Sequence, residues 1–194
     1  MDRFLYRLTY RLGMSHWDTG ETPPEIQQAF QAGGIPPGAA LDLGCGTGTN
    51  TIFMAKQGRQ ALGLDFVPQA INKPRSKAQQ AGVAERAQFQ VADVTRLNEL
   101  DLPPSGFALD MGCFHGLKPD GQHGYAEGLA KTLITGGQYM LYILDPRKEA
   151  GLSFGMQPEA VKAVFASWFD IVRLERGSFW SHGSTWFWME RKNS

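Results

Sequence analysis

Residues 39–58, AALDLGCGTGTNTIFMAKQG, constrain what this chain can fold into more than any other stretch. Ala39, Ala40, Leu41 and Leu43 form a short apolar run, as expected of a parallel strand covered on both faces. Gly44, Gly46 and Gly48 then leave the backbone bare, which permits positive φ and close approach of a ligand. Residues 49–56 read as a helix, with Ile52, Phe53 and Ala55 as its apolar positions and Gly58 as its stop. Such a turn feeds a helix N-terminus at the carboxyl end of a strand, where open α/β sheets bind nucleotides.

The same pattern repeats along the chain. Strands are expected at 60–65, 87–92, 107–111, 138–144, 169–174 and 185–191. Helices are expected at 68–80, 125–134 and 158–168, with Pro74 kinking or splitting the first of these. Strands alternating with helices imply an α/β fold with a mostly parallel sheet and helices on both faces. The last two strands lack an intervening helix and read as an antiparallel hairpin at one edge. Before the first strand, Pro23 and Pro24 open a helix to about residue 31, and Arg3, Arg7 and Arg11 form a solvated stripe on a short amphipathic helix. Residues 1–38 therefore read as an extension able to cover a site, and 39–194 as the core of a single domain.

With 194 residues the chain is long enough for one full core. Nineteen basic residues balance nineteen acidic ones, so net charge supplies no reason to expect a nucleic-acid partner. No apolar run approaches the length of a membrane span. The two cysteines, Cys45 and Cys113, lack metal-ligand spacing, and reduced thiols in a cytoplasmic protein are the simplest reading. No metal-binding motif is present, so no catalytic metal is expected. Nothing in the sequence fixes an oligomeric state.

Three strand ends carry the chemistry. The glycine pattern is GxGxG rather than GxGxxG, with Thr49 where a third glycine would fall. Asp65 follows Gly44 by 21 positions at the end of the second strand, where a carboxylate can accept two ribose hydroxyls. Asp93 ends the third strand, placed to accept from an exocyclic amine. Together they outline an adenosine pocket.

LDLGCGTG, GLDFVPQAI, VADV, LDMGCFHGL and LITGGQYML resemble, in order and spacing, the successive motifs of class I S-adenosylmethionine-dependent methyltransferases. The resemblance implies a Rossmann-like, seven-stranded sheet with an antiparallel last strand, and S-adenosylmethionine as cofactor. It implies that Gly44, Gly46, Thr47 and Gly48 line the cofactor and that Asp42 orients its ammonium group. By the same resemblance Asp65 takes the ribose, Phe66 stacks on adenine, and Asp93 with the Val94 amide reads the adenine edge. The loop opening at Asp110 and Met111 and running through Phe114 and His115 would border the methyl and its acceptor. The segment WDTGETPP is similar to the Trp-containing entry segment of small methyltransferases acting on thiols, thiopurines, halides or tellurite. That likeness makes Trp17 a cofactor or acceptor contact on a lid.

The expected reaction is therefore methyl transfer to a small molecule, with a thiol or other soft nucleophile favoured. Oxygen or nitrogen acceptors, a nicotinamide-dependent oxidoreductase and a non-catalytic cofactor-binding module are the alternatives. A thiolate needs little general base, whereas a hydroxyl or amine can need one. His115 is the first candidate for that role and His16 the second. Arg147 and Phe154, after the fifth strand, are candidate walls of the acceptor pocket.

Overall fold

The computed structural model describes residues 20–149, 152–179 and 182–193. The amphipathic N-terminal helix, His16 and Trp17 lie outside the described residues. Helix α1 is Pro24–Ala32, followed by strand β1 (Ala39–Leu43), α2 (Thr49–Lys56), β2 (Ala61–Asp65), α3 (Pro68–Gln80) and β3 (Ala87–Val91). A 3₁₀ segment, Val94–Glu99, leads to β4 (Ser105–Met111), a 3₁₀ turn (Phe114–Gly116), α4 (Pro119–Thr132) and β5 (Leu133–Leu144). The chain ends with β6 (Arg147–Glu149), β7 (Leu152–Phe154), α5 (Pro158–Phe165), β8 (Phe169–Phe179) and β9 (His182–Arg191).

Seven strands form one sheet in the order β3-β2-β1-β4-β5-β9-β8. The first five are parallel in their pairings, and β9 runs antiparallel between β5 and β8. From β1 the chain winds outward to β3, then returns to place β4 on the other side of β1. That reversal opens a crevice at the carboxyl ends of β1 and β4, the position where doubly wound sheets hold ligands.

Alternating side chains divide between two apolar layers. Leu41, Leu43, Ala108, Tyr139, Leu141, Phe187 and Met189 face α4 and α5, represented by Tyr125, Leu129, Val161 and Phe165. Ala40, Phe107, Leu109, Met140 and Trp186 face the other way, against Ile26, Ile52, Met54 and Ile71 of α1 to α3. α1 is thereby part of the core packing: Phe30 meets Phe53 and Phe107 edge-on, with ring centroids 5.5 and 5.1 Å apart.

Several expectations shift. α3 is one continuous helix through Pro74 and is not split, so the single lost backbone bond is tolerated inside thirteen residues. α4 starts at Pro119, earlier than the expected 125, and its glycines serve contact with a neighbouring segment. A Cβ at Gly121 would meet Thr95 at 2.8 Å, at Gly124 the Thr95 carbonyl at 2.6 Å, and at Gly128 Leu97 at 2.7 Å. These glycines let α4 lie directly on the Val94–Glu99 segment. β5 begins at Leu133, but its pairing with β4 is irregular until Gln138, where the sequence pattern placed its start. β8 is longer than expected, and the small β6–β7 hairpin was not foreseen.

Gly128→Ala tests the contact against intrinsic propensity. Alanine favours a helix by about 1 kcal/mol, but overpacking against Leu97 and the Asn98 amide costs about 1–3 kcal/mol. The variant should unfold at lower urea concentration than the parent, whereas a gain in stability would show that the 3₁₀ segment yields freely.

Candidate active site

The glycine turn after β1 is a junction before it is a cradle. Gly44, Gly46 and Gly48 all adopt positive φ, at 76°, 52° and 78°. A Cβ on Gly44 would strike Cys113 Cβ at 2.6 Å, and one on Gly48 would strike Pro74 and, at 2.7 Å, Phe89. The missing side chains at Gly44 and Gly48 thus admit neighbouring protein as well as freeing the backbone. What these residues offer a ligand is their peptide edges.

Asp65 ties this turn to β2. Its Oδ2 accepts the Gly46 amide at 3.0 Å and its Oδ1 accepts the Val67 amide at 2.8 Å. Burial raises the Asp65 carboxyl above its ordinary 3.8, and those two amides pull it back. Each carboxylate oxygen keeps a further lone pair. Phe66, half-buried, follows directly. Asp93 caps the 3₁₀ segment, its Oδ1 accepting from the Thr95 amide at 3.1 Å and the Thr95 hydroxyl at 2.8 Å. Val94 behind it is buried. Thr47 accepts from Lys77 Nζ at 2.9 Å, so α3 also anchors the turn.

Asp42 lies beneath the turn. It is almost fully buried, and its Oδ2 accepts the Thr51 hydroxyl at 2.6 Å. Burial pushes its carboxyl up to about 6 against the lowering effect of Thr51. Next to Thr51 on the first turn of α2, Asn50 has a buried Oδ1 without a hydrogen-bond donor. A buried orphan acceptor at this place is suited to a ligand's N–H or O–H.

Across the crevice, Asp110 is wholly buried, while Met111 and His115 are half-buried at its edge. Phe114 had been expected against the acceptor. Its ring is instead fully buried, 5.2 Å from Tyr125 and 4.9 Å from Phe165, because the 3₁₀ turn points it into the core. His115 Nδ1 accepts the Leu144 amide in a long bond of 3.4 Å. Burial, with help from the Arg147 charge, lowers the imidazole to about 4. The ring is therefore neutral, with its proton on Nε2. Burial pushes both the Cys45 and the Cys113 thiols up, which makes them poor nucleophiles.

Arg147 and Phe154, named separately from the sequence, are cross-strand partners in the β6–β7 hairpin. The guanidinium stands 5.9 Å from the ring centroid, and its charge reaches His115. Thr51, Asn50, Tyr125 and Tyr139 were not anticipated. Thr51 was hidden because a threonine on a helix face carries no local signal. The two tyrosines read as ordinary apolar positions.

The methyltransferase-domain family model matches residues 40–137, and the chain belongs to that family. A 2-heptyl-1-hydroxyquinolin-4(1H)-one methyltransferase of Mycobacteroides abscessus is 29% identical over 66% of this chain and 56% of its own. A probable thiol methyltransferase of Arabidopsis thaliana is 28% identical over 72% of this chain and 62% of its own. The chain thus spans less than two thirds of the length of these curated relatives. A Burkholderia thailandensis 1,6-didemethyltoxoflavin N1-methyltransferase, solved with S-adenosylhomocysteine, superposes with a TM-score of 0.79 at 21% identity, covering 98% of this chain and 87% of that one. Magnesium protoporphyrin IX methyltransferase of Synechocystis superposes with a TM-score of 0.77 at 15% identity, over 99% of this chain and all of that one. These likenesses establish the fold. The donor set here fits an adenosyl amino acid: the Asp65 carboxylate ending β2 with the half-buried Phe66 next to it in the chain, the Asp93 carboxylate capping the segment after β3, and the orphan Asn50 oxygen by the turn.

Asp42→Asn separates the stability of the site from its use. Because the folded carboxyl titrates near 6 and the free one near 3.8, Asp42 favours folding below pH 3.8 and loses that contribution as pH rises through 6. Asparagine still accepts from Thr51 without carrying charge. The variant should be more stable than the parent by about 1–3 kcal/mol at pH 7.5 and little different at pH 4. Chemical denaturation at the two pH values measures this, and equal effects at both would discard the explanation.

Proposed function

We propose that this protein is an S-adenosylmethionine-dependent methyltransferase acting on a small molecule, with a thiol or similarly soft nucleophile as acceptor. The observation that carries the cofactor reading is Asp65: a buried carboxylate at the end of β2, held by the glycine-turn amide of Gly46 at the sheet's switch point. Asp65 accepts the ribose hydroxyls through the lone pairs left by its two amide partners. Phe66 and Asp93 frame the adenine, and the peptide edges of the turn with Asn50 and Asp42 face the amino-acid end. When bound, the sulfonium supplies an already activated methyl group. The chain's own task is then alignment and exclusion of water.

The acceptor preference follows from His115. Its Nδ1 lone pair is engaged by the Leu144 amide, Nε2 already carries the proton, and burial makes the ring a weak base. His115 therefore positions the acceptor loop against β5 and offers an N–H. Among the described residues the crevice presents no other histidine, so a nucleophile that is already anionic is the better substrate. The positive charge of Arg147 favours the same anion. Both relatives named above suit such a choice, one being named for a thiol and one for a hydroxyquinolinone. An acidic hydroxyl is accordingly the second reading. Because α1 is packed into the core, only the segment ahead of it, which carries Trp17, completes the proposal as a lid.

Calorimetry with S-adenosylhomocysteine tests the cofactor: Asp65→Ala should weaken binding at least tenfold, and unchanged affinity would place the ribose elsewhere. For the acceptor, His115→Asn keeps an acceptor for the Leu144 amide and removes any imidazole base. It should retain kcat within about fivefold on an aryl thiol, whereas loss of a general base costs about 10²–10⁴-fold. Trp17→Ala should lower turnover while leaving the melting temperature near that of the parent. A parallel fall in both would make Trp17 an anchor.

A further inference from the structure

Among the described residues Asp110 is a fully buried carboxylate, and each of its hydrogen-bond partners is a donor. Its Oδ1 accepts the Cys113 amide at 2.7 Å and the Phe114 amide at 3.2 Å. Its Oδ2 accepts the Phe114 amide at 3.0 Å and the Tyr125 hydroxyl at 2.7 Å. The Tyr125 hydroxyl lies 3.0 Å from that of Tyr139. With Asp110 ionised the order of protons is determined: Tyr139 donates to Tyr125, and Tyr125 donates to Asp110.

The two amides gripped by this carboxylate belong to the turn that carries His115. Around them the loop has little slack. Gly112 takes φ +89°, and a Cβ there would lie 3.2 Å from the His115 ring. Gly44 presses Cys113 from the other side. A proton on Asp110 would turn one acceptor into a donor among donors. Either Tyr125 would have to reverse, or an amide of Cys113 or Phe114 would lose its partner.

We propose that Asp110, braced by Tyr125 and Tyr139, is the positioning residue of the acceptor loop, and that its ionised form holds the loop in the arrangement used for transfer. This rests on the reading of the crevice as a methyltransferase site. The groups that face Asp110 are Tyr125 from α4, Tyr139 from β5, Asp42 from β1 and Cys113 from its own loop; the Asp42 charge opposes its ionisation. Burial raises the carboxyl to about 7, so the device changes state within the neutral range.

Amide proton NMR of the full chain without ligand tests the grip, and kcat/KM against pH tests its use. The Cys113 and Phe114 amides should titrate together with a midpoint near 7. Tyr125→Phe removes a donor to the carboxylate and should move that midpoint up by half a pH unit or more. Tyr139→Phe should move it the same way by less, and because Tyr139 reaches the loop only through Tyr125, it serves if Tyr125→Phe does not fold. With one acceptor throughout, the acid limb of kcat/KM should rise in step with the amide midpoint in each variant, since the acceptor's own titration is common to all. Amide midpoints unmoved in both tyrosine variants, or an acid limb indifferent to a moved midpoint, would overturn the proposal. Failure of the parent chain to bind S-adenosylhomocysteine would instead defeat the methyltransferase reading, and the amide titration would still decide whether Asp110 holds the loop.

Discussion

The structure depends on a place where side chains are absent. At Gly44 and Gly48 the backbone turns with positive φ, and the volume that two β-carbons would take is occupied by Cys113 on one side and by Pro74 and Phe89 on the other. This draws the end of β1 against the loop after β4 and against α3 and β3 at once. Gly63 extends the junction, since a Cβ there would meet Thr51 at 2.7 Å and Cys45 at 2.9 Å. A crevice at a switch point needs two strand ends close together but not fused. Missing methyl groups set that distance, and the Gly46 bond to Asp65 holds its orientation.

Around this junction the protein buries carboxylates at three strand ends. Asp42, Asp65 and Asp110 are each at least 97% removed from solvent, and their described partners are hydroxyls and backbone amides rather than cations. Burial without a counter-charge disfavours the ionised form, and all three are raised. Such an arrangement reduces stability at neutral pH. It is consistent with a site that keeps negative charge ready for a cationic, hydroxyl-bearing ligand, and with strain concentrated where function lies.

Most of the fold was legible because the β–turn–α periods are local. The boundaries of β1, α2 and α3 agree with the sequence pattern to the residue, whereas the strand order came only from the structure. The candidate site was legible where a motif placed a polar residue at a strand end, as with Asp65 and Asp93. It was not legible where a residue's neighbour came from far along the chain. Phe114 looked like an acceptor wall but turns inward to Tyr125 and Phe165. The glycines of α4 carried no signal in the sequence pattern, yet they are the face on which the 3₁₀ segment rests.

By itself the sequence determined the class of fold, the place of the crevice and the identity of the strand-end carboxylates. Hydrophobic period and glycine position act over a few residues, and strand ends lie where those periods stop. Only the tertiary structure decided what each group does there. It engaged the lone pair of His115 with β5, paired Arg147 with Phe154 across a hairpin, and surrounded Asp110 with donors from its own loop and from α4. Protonation and donor order depend on burial and on partners distant in sequence, and these exist only once the chain has closed on itself.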